Sequence, residues 1–164
     1  MTTARKQTGE AKALPLLRAD TRLRIASWVL IAAGFLDLTR GFAHTFNIRH
    51  AAANIAQVDM ASPMIGDFLV VMSAFGMSNY LTGLFAIVVG FKARELAPLF
   101  LGIIPVTYAL GTLSMRINAI EGTAAFSGRY MMVVYLAICV LIALYYYIPS
   151  WLGLDGARAG AESR

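Results

Sequence analysis

The sequence predicts an all-α fold, a polytopic membrane protein built as a four-transmembrane-helix bundle. Three observations predict it. Of the 164 residues, 59% are hydrophobic and only 14% charged; mean hydropathy is +0.66; and four apolar windows, residues 25–46, 67–91, 96–115 and 130–148, are each near the length of about 20 residues needed to cross about 30 Å of hydrocarbon. The spans are helices because backbone groups left unpaired cannot face lipid. A soluble helical core would carry polar faces at a period of 3.6, yet residues 84–91 and 131–144 contain no charge. The expected organisation is a basic cytoplasmic arm (1–24), one transmembrane domain (25–151) and a flexible cytoplasmic tail (152–164).

The arm mixes Arg5, Lys6, Lys12, Arg18, Arg22 and Arg24 with a Pro15 break, and reads as a mobile basic segment whose Leu14, Leu16 and Leu17 can touch headgroups. The first span follows it without a small-residue cleavage pattern and runs into Asp37 and Arg40, so it is retained rather than removed as a signal peptide. In the outer loop, 47–65, the run AAANIAQVDMASP predicts a short helix ending before Pro63. Span two places Ala74, Ser78, Thr82, Ala86 and Gly90 at every fourth position, a small-residue ridge for close helix approach. Thr107, Gly111, Ser114 and Asn118 form a shorter ridge in span three, and Ala33 and Gly41 flank Asp37 in span one.

The link at 92–95 is a tight hairpin, which makes spans two and three antiparallel neighbours. Pro105 is expected to kink span three and free a carbonyl one turn earlier. A second outer loop, 116–129, is polar, and span four buries the single Cys139, which excludes an intramolecular disulfide. The halves show no internal repeat, an argument against an inverted-repeat transporter.

A net charge of +5 is here an orientation signal rather than a nucleic-acid footprint. The arm, the link with Lys92 and Arg94, and the tail with Arg158 and Arg164 hold ten of the fourteen Lys and Arg residues, all on one side. Opposite them are Arg49, Arg116 and Arg129, so both termini are expected in the cytoplasm of a cell with this chain in its inner membrane. Trp28, Tyr145, Tyr146, Tyr147 and Trp151 supply interfacial aromatics at the same end.

Spacings of three and four place Asp37, Arg40 and His44 on one stripe of the first span. Counting from Ile25, Asp37 lies roughly 18 Å and Arg40 roughly 22 Å along the helix. By the same arithmetic Asn79 and Tyr108 fall near the middle and Tyr135 at the depth of Arg40. The expected ligand-binding set is therefore Asp37, Arg40, His44, Asn79, Tyr108 and Tyr135, with Arg40 gripping an anionic or carbonyl group and Asp37 orienting it or relaying a proton. The competing explanation is structural: Asp37 and Arg40 neutralise each other and bond to Asn79 or Tyr108, although charge within a span costs roughly 2.5 kcal/mol or more and is more often functional.

A metal site from His44, His50, Asp59 and Asp67 matches no compact ligand spacing, and bis-histidine haem ligation from adjacent outer positions needs a sharp local fold. Neither a hydrolase triad, a phosphate loop nor a dinucleotide motif is present in the sequence. No cofactor is named by the residues.

The segment RLRIASWVLIAAGFLDLTRG, from Arg22 to Gly41, resembles the opening of small bacterial four-span DoxX-like membrane proteins. That resemblance implies the same size and topology, and a group in which quinone-linked redox subunits and accessory proteins both occur. It transfers no residue roles. The leading expectation is a non-catalytic accessory or interaction subunit of a membrane complex, surrounded by lipid and meeting other membrane chains or a second copy through its small-residue faces. The alternatives are a redox-associated subunit binding a quinone-like small hydrophobic ligand in the polar pocket, and a proton-coupled carrier.

Overall fold

A computed structural model of the chain describes residues 19–120 and 128–151. The expectations for residues 1–18 of the arm, for 121–127 of the second outer loop and for the tail from residue 152 lie outside the described residues. Within them the order is α1 (Ala19–Thr45), α2 (Ile48–His50) running into a π-helical turn (Ala51–Ile55), α3 (Ile65–Lys92), a 3-10 turn (Arg94–Leu96), α4 (Ala97–Ile117) and α5 (Arg129–Trp151). Four of these, α1, α3, α4 with its preceding turn, and α5, are long and apolar enough to cross a membrane. No strand occurs among the described residues.

Helix α1 is the hub, because α3, α4 and α5 all pack on it. Its first turn begins at Ala19, ahead of the Ile25 expected from hydropathy, so the end of the basic arm is helical. Arg22 lies buried there, 3% exposed, and its Nη1 donates to the Tyr146 carbonyl of α5 at 3.3 Å. The core joins Ala26, Leu30 and Ala33 of α1 to Ala86 and Val89 of α3, Ala97 and Leu101 of α4, and Tyr135, Cys139 and Ala143 of α5.

The α1–α3 contact is the most extensive among the described residues and corrects the expected ridge. The buried line on α3 is Gly76, Asn79, Gly83, Ala86 and Gly90, whereas Ala74, Ser78 and Thr82 are exposed. A strict every-fourth-residue line gains about 40° per step on a 3.6-residue helix and drifts off any one neighbour; alternating steps of three and four stay on it. On α1 the facing positions are Ser27, Ile31, Gly34, Leu38, Gly41 and Thr45, the same alternation.

The short link does not bring α3 and α4 together along their length. They share few contacts, and both instead lean on α1, so they diverge from the link and leave a cleft. Helix α4 runs unbroken through Pro105, and Thr107 Oγ1 bonds the Ile104 carbonyl at 2.8 Å. The helical part of the outer loop is shorter than expected and stops at Ile55, well before Pro63; Ala51 and Ala52 are buried. Large apolar side chains, among them Phe35, Val70, Leu81, Leu110 and Leu141, remain exposed on all four long helices.

Candidate functional site

Asp37 and Arg40 stand one turn apart on α1, 13% and 11% exposed, where α3, α4 and α5 surround them. Arg40 Nη1 donates to Asp37 Oδ1 at 3.4 Å and to the Tyr108 hydroxyl of α4 at 3.2 Å. From α3, Thr82 Oγ1 reaches the second carboxylate oxygen at 3.4 Å. The guanidinium therefore meets the carboxylate at a single long contact rather than as a bidentate fork. Its Nε and Nη2 make no hydrogen bond among the described residues.

One turn outward, Asn79 Nδ2 lies 3.2 Å from His44 Nδ1. An amide nitrogen donates, so Nδ1 accepts and Nε2 is left as the ring's donor. Phe75 sits between the two groups, its ring 5.4 Å from the imidazole and 6.0 Å from Arg40 Cζ, the outer limit for a cation–π contact. A separate pair, Thr45 Oγ1 and Tyr80 Oη at 3.0 Å, ties the outer ends of α1 and α3.

Of the six residues singled out from the sequence, Asp37, Arg40 and Tyr108 form one bonded group, His44 and Asn79 form a neighbouring pair, and Tyr135 walls the cleft beside Asp37. That cleft, about 390 Å³, is lined by Asn79 and Thr82 of α3 and by Thr107, Tyr108 and Thr112 of α4. Thr82 and Phe75 were not foreseen as site residues. The signal for Thr82 is its place three positions after Asn79 on one face, but its small side chain equally fits the every-fourth packing ridge. On the far side of Arg40 a second cavity, about 470 Å³, is lined by Leu36, Arg40, His44, Tyr108 and Met131, with Ile55 of the outer loop at its mouth. Phe75 and Tyr108 line both cavities and so stand between them, with Asp37 on the side of the cleft and Arg40 on the side of the second cavity.

Among the described residues no three His, Cys, Asp or Glu side chains form a group that could hold a metal ion. His50 is engaged with Asn54 at 3.1 Å, and Asp59 Oδ1 accepts the Ala61 amide at 2.9 Å. What the arrangement offers chemically is a formally neutral ion pair with unused guanidinium donors, next to a tyrosine hydroxyl, inside an apolar bundle. It can take a hydrogen-bond acceptor.

The fold and this group define a class: a small bundle of four membrane-length helices with a polar network at the seam between open cavities. Comparison with known proteins finds no family model, no curated protein and no solved structure that matches the chain.

Proposed function

We propose that this chain is a multi-pass inner-membrane protein with both termini in the cytoplasm, and that it holds a small hydrophobic, quinone-like molecule at Arg40 and Tyr108. The membrane part is supported by the apolar side chains exposed around all four long helices, far more than a soluble monomer tolerates. The orientation is supported by Arg22, Arg24, Lys92 and Arg94 gathered at one end of the bundle. One observation carries the ligand: Arg40 sits 11% exposed, with Nη1 shared between Asp37 and Tyr108, and its side chain lines a cavity about 470 Å³ in volume. Buried ionisable groups in a span are expensive and are kept for use.

A second reading, an accessory subunit of a larger membrane complex, is favoured by the outer half of α4, where residues 109–117 are all exposed. The DoxX-like likeness of residues 22–41 fits both readings. Native mass spectrometry of the protein extracted from its own membrane without delipidation separates them. A discrete small-molecule mass, lost in Arg40→Gln and Tyr108→Phe, supports the ligand; a stoichiometric partner chain with no such mass supports the accessory subunit instead.

A further inference from the structure

Below the cavity at Arg40 lies a larger groove, about 600 Å³, between α1 and α5. Leu36 and Met131 line both, so the two are consecutive along one seam. The groove's walls are Val29, Ala32 and Leu36 on one side and Val134, Ile138 and Cys139 on the other, with no charged residue. Ala32 and Ala33 are what make it a trough, since a larger side chain at either position would fill it. From Arg40 down to Val29 the trough is about 16 Å long, close to half of the about 30 Å hydrocarbon thickness. Its volume falls in the range of small-molecule sites.

We propose that the molecule held at Arg40 has a neutral carbonyl headgroup on one long apolar chain, and that the chain lies in the α1–α5 groove. The proposal rests on the ligand reading above and adds the ligand's charge, shape and place. Headgroup charge follows from the ion pair: Asp37 already balances Arg40, so an anion would leave a net negative charge in a low-dielectric site, whereas a carbonyl takes the unused donors without adding charge. Chain direction follows from the ends. Ile55 and Gly128 stand at the outer end of the Arg40 cavity, while the seam continues inward past Leu36.

The test uses the full-length protein in phosphatidylcholine nanodiscs and a long-chain methyl ketone carrying a diazirine at the chain end, with crosslinks mapped by peptide mass spectrometry. Saturable labelling is expected on the groove-facing positions of α1 and α5 near Val29 and Cys139. Ala32→Phe should lower it at least tenfold, Val88→Phe on an exposed face of α3 should leave it unchanged, and the matching fatty carboxylate should compete at least tenfold less well than the unlabelled ketone. Labelling confined to Thr107 and Thr112, and still lost in Tyr108→Phe, keeps the ligand reading and overturns the groove. Better competition by the carboxylate overturns the neutral headgroup. Non-saturable labelling, indifferent to Ala32→Phe, Arg40→Gln and Tyr108→Phe alike, overturns both the groove and the ligand reading.

Discussion

Gly34 and Gly83 oppose each other across the α1–α3 seam so closely that a Cβ on either would lie 2.7 Å from the other's carbonyl oxygen. Backbone, not a side chain that can rotate away, is the obstacle. Gly83→Ala would also meet the Leu38 amide nitrogen at 3.0 Å, so the helices must part to accept it, at a cost of about 1–3 kcal/mol. Gly111→Ala has nothing within 4 Å and gains up to about 1 kcal/mol of helix propensity. Thermal unfolding in detergent should show a lower midpoint for the first and an equal or higher one for the second.

Removing one member of the Asp37–Arg40 pair strands the other in a largely buried position, a loss of about 3 kcal/mol or more. The double variant Asp37→Asn with Arg40→Gln leaves no charge to strand and should recover much of that loss. A double-mutant cycle on unfolding free energies measures it. Two single losses that simply add would show that the residues are not coupled.

Arg22 fastens the start of α1 to the far end of α5, where the helix dipole is negative. Losing a hydrogen bond from a charged donor costs about 1.5–3 kcal/mol. Arg22→Gln should therefore speed amide exchange in the last turns of α5 and leave the α1–α3 seam protected, a pattern that hydrogen-exchange mass spectrometry resolves residue by residue.

Orientation can be read with thiols. In a Cys139→Ala background, Asp67→Cys at the start of α3 should react with a membrane-impermeant maleimide on intact spheroplasts. Glu95→Cys in the α3–α4 link should react only after the membrane is opened. The reverse pattern places the termini on the other side.

Hydropathy located the four long helices to within a few residues, because lipid-length apolar runs leave few alternatives. It placed the start of α1 too late, since Arg22 and Arg24 lower the local average although both are helical. The polar set on α1 was legible from its spacing, but the depth count matched Tyr135 to Arg40, whereas the hydroxyl that bonds Arg40 is that of Tyr108, counted nearer the middle. Two other things were not legible. Small residues at every fourth position through Ser78 and Thr82 point to one packing line on α3, whereas the glycine spacing of seven marks the buried one. The divergence of α3 from α4 was hidden because a short link fixes where two helices meet and not the angle at which they leave.

Glycines recur at 76, 83 and 90 on α3, facing Gly41, Gly34 and Ser27 on α1, so both edges of the seam repeat every seven residues. The spacing of such a ladder is unchanged by a slip of one rung, about 10 Å. Spacing alone does not choose between the two alignments. What tells them apart is hydrogen bonding: Thr82 to Asp37, Asn79 to His44 and Tyr80 to Thr45 can all form in only one. Asp37, His44, Asn79 and Thr82, which line the cavities, thus act together with Tyr80 and Thr45 as an index mark, and a variant stripped of all three ties should produce a second, fully helical species one rung out of step.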